Sequence, residues 1–203
     1  MTVEGTNADL AKLLETVRKQ GKQSRFILGV DGLSRSGKTT FTERLRQNLV
    51  QKQIDVSVLH LDDHIVERKR RYDTGHEPWY EYYALQWDVP YLRENLFSKL
   101  RRGNEIVLRF YDEDSDEHIA RTLLVPAKCV IIVEGVFLQR AEWRSFLDYC
   151  VYLDCPRHIR FSRESEAVQA NLAKFESRYW KAEDYYIQAA RPAEQADVII
   201  KSR

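Results

Sequence analysis

The chain has 203 residues, 43% hydrophobic and 31% charged, with Lys+Arg 32 against Asp+Glu 31 for a net charge of +1. That balance supplies no global attraction for nucleic acid or an anionic membrane, so the expected partner is a small molecule. The length suits one domain with a substantial core and excludes a second full domain.

No apolar stretch reaches the length needed to cross a bilayer. The opening residues Met1-Thr2-Val3-Glu4-Gly5 carry no basic segment followed by an apolar core, so no secretory signal is expected and the expected compartment is cytoplasmic. Leu10, Leu13, Leu14 and Val17 then recur at helical spacing, and Gly21 stops that helix. The apolar run Phe26-Ile27-Leu28-Gly29-Val30 predicts a strand over about 25–31. It passes into Gly-Leu-Ser-Arg-Ser-Gly-Lys-Thr at positions 32–39, and Phe41, Leu45 and Leu49 mark one face of the helix that follows. Strand, glycine-bounded loop, Lys38-Thr39 and helix together make a phosphate-binding loop. Glycines let the backbone curl until several N–H groups point at phosphate oxygens. Lys38 reaches the terminal phosphates, and the Thr39 hydroxyl can ligate Mg²⁺ at a helix N-terminus whose dipole favours anions.

Ile54, Val56, Val58 and Leu59 predict a second strand ending at His60-Leu61-Asp62-Asp63. Periodicity fails from about 64 to 88. There Glu67-Arg68-Lys69-Arg70-Arg71 reads as a solvated face, Asp73-Thr74-Gly75 as a turn, and Pro78 as the start of a short helix. Its Trp79, Tyr80, Tyr82 and Tyr83 read as packing of an irregular lobe. Pro90, Leu92, Leu96 and Leu100 mark another helix, stopped by Gly103. Ile106–Tyr111 and Ile119–Val125 read as a hairpin across an acidic turn. Cys129–Val133 is a continuous apolar run, expected as a buried central strand ending in Glu134-Gly135. Cys150–Leu153 and Asp197–Ile200 are the last strands, bracketing a long helical stretch with Leu172, Phe175, Tyr179, Ala182 and Tyr186 on one stripe. Cys150 and Cys155 stand too far apart along extended chain for a disulfide, so all three cysteines, with Cys129, are expected as reduced buried thiols.

Alternating strands and helices imply a mostly parallel sheet covered on both faces, with ligands beyond the carboxyl ends of the strands. Asp62, Asp63 and Glu134 fall there beside the phosphate loop. One carboxylate near a Mg-triphosphate can hold metal-bound water while another takes a proton from an attacking hydroxyl. His60, Asp62, Asp63 and His64 alternate over both faces and do not read as a transition-metal site.

The phosphate loop, Leu61-Asp62-Asp63, Trp87-Asp88-Val89-Pro90, Phe110-Tyr111-Asp112 and Val133-Glu134-Gly135 occur in an order that resembles the uridine kinase and phosphoribulokinase family from Arg25 to Ile200. The fold expected is the three-layer α/β fold of P-loop nucleoside triphosphatases, a single domain over 1–203. It has a five-stranded parallel sheet with helices on both faces, a small β-hairpin substrate lobe at about 64–125 and a lid at about 157–178. The resemblance implies ATP and Mg²⁺ as cofactors and transfer of a phosphoryl group to a hydroxyl of a small metabolite. Gly32, Ser34, Ser36, Gly37, Lys38, Thr39, Thr40 and Arg160 would bind the nucleotide, and Thr39 and Glu134 the metal. Asp62 would accept the hydroxyl proton, with Lys38 and Arg163 stabilising charge. Asp88 would bind ribose hydroxyls and Tyr111 a nucleobase, which makes the ribose 5′-hydroxyl of uridine or cytidine the expected acceptor.

Two departures bear on that acceptor. Uridine kinases place a histidine a few residues beyond the hairpin tyrosine, where this chain has acidic residues and His118 out of register; and Glu164 stands where a lid arginine is expected. Nicotinamide riboside or pantothenate are the alternative acceptors. A nucleotide-dependent switch or motor is disfavoured by the lack of Asn-Lys-x-Asp and Leu-Ser-Gly-Gly motifs, and a silent nucleotide-binding module by the intact Lys38, Thr39, Asp62 and Glu134. Self-association into a homo-oligomer is left open.

Overall fold

The central sheet runs from edge to edge through β1 (Val3–Glu4), β8 (Val198–Ser202), β7 (Tyr149–Asp154), β2 (Arg25–Gly32), β6 (Cys129–Gly135) and β3 (Val56–His60). The structure is a computed structural model that describes residues 3–4 and 7–202. Met1, Thr2 and Gly5 of the opening segment lie outside the described residues, as does the side chain of Leu10. The five strands from β8 to β3 are parallel, as expected. β1 adds an antiparallel edge through Val3↔Ser202 and Glu4↔Lys201, a pairing too short to leave a periodic signal.

The apolar strands divide their side chains by period two between two cores. Phe26, Leu28, Val30, Val130 and Ile132 face α1 (Asn7–Gly21) and α2 (Lys38–Gln51), meeting Leu13, Val17, Phe41, Leu45 and Leu49. Ile27, Cys129, Ile131 and Val133 face an aromatic-rich layer containing Trp87, Phe97, Phe137, Trp143 and Tyr186. Phe97 and Trp143 stack there with centroids 5.2 Å apart. The three cysteines are free and buried.

Between β3 and β6 the chain forms a 3₁₀ turn at Leu61–His64, α3 (Arg68–Arg71), α4 (Pro78–Ala84) and α5 (Val89–Asn95), then the hairpin β4 (Glu105–Asp112) and β5 (Glu117–Leu124). The helix expected to continue to Leu100 breaks at Leu96 and resumes as a 3₁₀ turn at Phe97–Lys99. Ile54 is buried ahead of β3 rather than within it.

The basic run is the solvated face its charge predicts at Arg68, Lys69 and Arg70, which are exposed, but not at Arg71. Arg71 is buried, donating from Nε to the Val66 carbonyl at 2.8 Å, and Arg68 donates to the Glu113 carbonyl at 2.7 Å. The backbone amide of Arg68 donates to Asp116 at 2.9 Å, so α3 is tied to the acidic turn by hydrogen bonds.

After β6 come α6 (Ala141–Arg144) and, following β7, α7 (Arg157–Phe161), α8 (Glu166–Gln169) and α9 (Leu172–Lys174). A π-helical turn at Phe175–Trp180 leads into α10 (Lys181–Ala190) and α11 (Pro192–Gln195). The expected single stripe is therefore interrupted. Phe175, Ala182 and Tyr186 are buried, but Leu172 is 44% exposed, because the wider π turn rotates the preceding face away from the core. Among the described residues no helix is long and apolar enough to cross a membrane.

Candidate active site

β2 lies between β7 and β6, and the chain leaves it through α2 to reach β3 on the far side of β6. The crevice above these strand ends is where open α/β sheets bind ligands. A cavity of about 640 Å³ opens there, lined by Ser34, Arg35 and Gly37 to Thr40 of the phosphate loop, by Asp62 and Glu134, and by Arg163, Glu164, Val168, Phe175 and Tyr179 from the chain after α7.

Gly37 caps α2 at φ 96°, a left-handed position that glycine occupies without a Cβ penalty. A Cβ on Gly32 would stand 2.9 Å from the Leu153 carbonyl, so strand packing holds that position to glycine as well. The first-turn amides of Lys38, Thr39 and Thr40 have no intrahelical acceptor and open toward the cavity mouth. Lys38 is buried, with Nζ 3.2 Å from the Leu33 carbonyl. Burial lowers its pKa, opposed by Glu134, Asp62, Asp31 and Glu183. The surrounding carboxylates favour the charged ammonium, the form that binding an anionic ligand requires. The Ser36 hydroxyl is buried without a partner.

Glu134 sits in register with His60 on the neighbouring strand. Its Oε1 meets His60 Nδ1 at 2.6 Å and accepts from the Thr39 hydroxyl at 3.0 Å. Burial alone would raise its pKa, but the His60 contact, Lys38 and Thr39 bring it below the ordinary carboxylate value. Glu134 Oε2 is buried and unpartnered beside Thr39. A hydroxyl next to a carboxylate with a free oxygen fits a hard divalent cation that takes its remaining ligands from water and phosphate.

Asp62 and Asp63 belong to a 3₁₀ turn rather than a strand end, and the turn, not strand alternation, separates the four polar side chains. His64 points inward, its Nδ1 2.8 Å from the Arg109 carbonyl. Asp62 keeps solvent access through the cavity mouth while protein crowds its other sides. That burial raises its pKa; Lys38 opposes the rise, and Glu134 and Asp63 add to it.

Of the residues singled out in the sequence, Ser34, Gly37, Lys38, Thr39, Thr40, Asp62, Glu134 and Arg163 converge on this cavity, while Gly32 and Ser36 lie behind its lining. Arg160 does not. It is buried against Glu183, with Nη1–Oε1 at 2.7 Å and Nη2–Oε2 at 2.9 Å, and also donates to the Ser34 and Cys155 carbonyls. Four acceptors take four of its five donors, and through the Ser34 carbonyl it braces the phosphate loop. Asp88 accepts from the Tyr91 amide at the start of α5 and pairs with Arg70 at 3.2 Å. The Tyr111 hydroxyl donates to Asp116 at 2.8 Å and accepts from Arg71 at 3.2 Å. His118, read as out of register, lies directly across from Tyr111, with its ring nitrogens on Glu67 and the Ile65 carbonyl.

Sequence reasoning missed Glu183, Tyr186 and Asp31, which tie α10 to the phosphate loop. It favoured lobe packing over base stacking for Tyr82. Tyr82 does pack edge-on against Phe137 and Tyr179, and it lines the cavity too.

A phosphate loop at the switch point of a parallel sheet, with carboxylates on the next two strand ends, defines a P-loop α/β protein of the nucleotide-binding class. A sequence model of the phosphoribulokinase/uridine kinase family matches residues 27–167, and the chain belongs to that family. It is 32% identical to a uridine kinase of Staphylococcus aureus over 139 residues, 68% of this chain and 65% of that kinase. With a Staphylococcus haemolyticus uridine kinase it shares 29% identity over 141 residues, again 68% and 65% of the two chains. The match thus spans somewhat less than two thirds of these relatives' length. A solved structure from Bacillus stearothermophilus, described as a possible uridine kinase, is 46% identical with a TM-score of 0.80, covering 94% of this chain and 98% of that one. D-glycerate 3-kinase from Cryptococcus neoformans, 13% identical with a TM-score of 0.56 over 94% and 88% of the chains, shares the fold.

Proposed function

We propose that the protein is a cytoplasmic, ATP- and Mg²⁺-dependent kinase that phosphorylates a hydroxyl of a small metabolite, the ribose 5′-hydroxyl of uridine or cytidine. The observation that carries the reading is the convergence of Lys38, Thr39, Asp62 and Glu134 on one cavity above the sheet. Resemblance to uridine kinases over most of the chain supports the acceptor.

Gly32, Gly37 and the loop amides shape the phosphate seat, with Ser34 and Thr40 on its walls and Ser36 buried behind it, and Lys38 neutralises the terminal phosphates. Thr39 and Glu134 would hold Mg²⁺, which, when bound, offsets the negative charge on the phosphates. Asp62 receives the acceptor hydroxyl's proton at its carboxylate; its raised pKa makes it a stronger base than a surface aspartate. Arg163 contributes positive charge from the lid, the segment 157–178. In the hairpin lobe, 64–125, Asp88 exchanges Arg70 for ribose hydroxyls, and Tyr111 borders the base.

One observation favours another acceptor for the same chemistry. Tyr111 and His118, the hairpin side chains that the resemblance would set against a pyrimidine, are both engaged internally. Nicotinamide riboside and pantothenate are the alternatives. Coupled ADP release with uridine, cytidine, nicotinamide riboside and pantothenate separates them. Turnover dependent on uridine or cytidine supports the reading, whereas ADP release indifferent to every acceptor removes kinase activity on this group of compounds.

A further inference from the structure

Arg35 stands in the middle of the phosphate loop at φ 58°, a left-handed conformation uncommon for side chains other than asparagine and aspartate. A residue that only filled this bend would be served by glycine. Arginine instead sets a cation on the cavity wall beside Lys38 and Thr39.

Two contacts join it to the lid. Arg35 Nη2 lies 2.8 Å from Glu164 Oε2, and the Arg35 carbonyl accepts from Arg163 Nη1 at 2.6 Å. The pair is asymmetric, with the Arg35 side chain 56% exposed and that of Glu164 only 9%. Glu164 is therefore a largely enclosed anion on the wall of the cavity that also presents Lys38 and the first turn of α2. A triphosphate entering that cavity attracts the same guanidinium and repels the same carboxylate.

We propose that Arg35 is a phosphate-contacting residue of the triphosphate site, and that Glu164 competes with the incoming phosphates for its guanidinium. The inference rests on reading the cavity as a triphosphate site. Arg163 grips the backbone of residue 35 rather than its side chain, so the guanidinium can change partners while the lid stays docked on the loop. The loop thus carries two side-chain cations, Lys38 fixed inside it and Arg35 exchangeable at its rim.

Calorimetric titration with the Mg²⁺ complex of β,γ-imido-ATP, on the full chain and its Arg35→Ala, Arg35→Lys and Glu164→Gln variants, tests the proposal. Arg35→Ala weakens binding about tenfold or more, the scale of a lost charge-assisted contact to phosphate, and Arg35→Lys weakens it less. Glu164→Gln tightens binding about three- to tenfold, because a competing anion is gone. If the pair served only to hold the lid, Glu164→Gln would weaken binding in the same direction as Arg35→Ala. Affinity of Glu164→Gln at or below wild type overturns the proposal, as does unchanged affinity in Arg35→Ala. Should Arg35→Ala fail to fold in a parallel melting measurement, the opposite signs expected of Arg35→Lys and Glu164→Gln decide the matter. A wild-type chain that binds no nucleotide instead overturns the triphosphate-site reading, before Arg35 is in question.

Discussion

The Tyr186 hydroxyl donates a 2.6 Å hydrogen bond to Asp31 Oδ2, a carboxylate with no exposed surface that lies one residue ahead of the phosphate loop. Gln139 Nε2 donates to the same oxygen at 2.9 Å, and the Leu138 amide to Oδ1 at 3.3 Å. Helix α10 thereby grips the end of β2 from beneath the nucleotide site.

Tyr186→Phe removes one donor from this buried acceptor and should cost about 1–3 kcal/mol of stability. Burial raises the Asp31 pKa above 3.8, while Tyr186 and Gln139 pull it back. Asp31 therefore favours the folded state most fully below the ordinary aspartate pKa, and that contribution is lost as pH rises through the raised value. The Tyr186 bond matters most to the ionised form, so the loss in Tyr186→Phe should be larger near pH 7 than at about pH 4. Urea unfolding at both pH values measures the difference, and an equal loss at the two would show that Asp31 does not ionise across that range.

Arg160 and Glu183 form a second brace, with side chains 5% and 2% exposed. Breaking it from one side with Glu183→Ala strands a buried guanidinium and should destabilise the fold by about 3–5 kcal/mol. Replacing both partners with apolar residues of similar volume should recover much of that loss. Denaturant midpoints for the single and double variants provide the check; a double variant no better than the single one would mean that the charges themselves are required.

Asp62→Asn should reduce turnover by about 10²–10⁴ while leaving ATP binding intact, the signature of a lost general base. With its pKa above 3.8, Asp62 is active when ionised, so wild-type turnover should fall as pH drops through that raised value. The acidic limb should vanish from the residual rate of Asp62→Asn. Near-normal turnover in this variant would take Asp62 out of the role.

Glu134→Gln retains the shape of the carboxylate but not its charge, leaving Thr39 and His60 against a neutral amide. The Mg²⁺ concentration for half-maximal turnover should rise by about ten- to a hundredfold, a range seen when the groups around a metal are disturbed. Titrating Mg²⁺ at fixed ATP reads this directly, and an unchanged midpoint would assign the metal to other ligands.

Much of this was legible from local pattern. The strand, glycines, Lys38 and Thr39 of the phosphate loop are contiguous, and period two with apolar runs located β2, β6 and β7. Glu134 could be found because it stands at the end of a readable strand, and Asp62 because it follows one within two residues, in the 3₁₀ turn after β3. The exposure of Arg68 to Arg70 was legible, but the burial of Arg71 and the partners of the run were not, because charge density along the sequence carries no record of acceptors elsewhere in the fold. Here the Val66 and Glu113 carbonyls, Asp88 and Tyr111 supply the partners.

The sequence by itself determined the phosphate loop, the alternation of strand and helix, and the carboxylates at the strand ends, since each is written in neighbouring residues or in a short period. Only the tertiary structure decided that His60 meets Glu134 across parallel strands, that Arg160 turns from the cavity to Glu183, and that Arg35 closes on Glu164. Those pairings join residues far apart in the chain. Register and packing of whole elements select them, and no local spacing records which buried charge will find which partner.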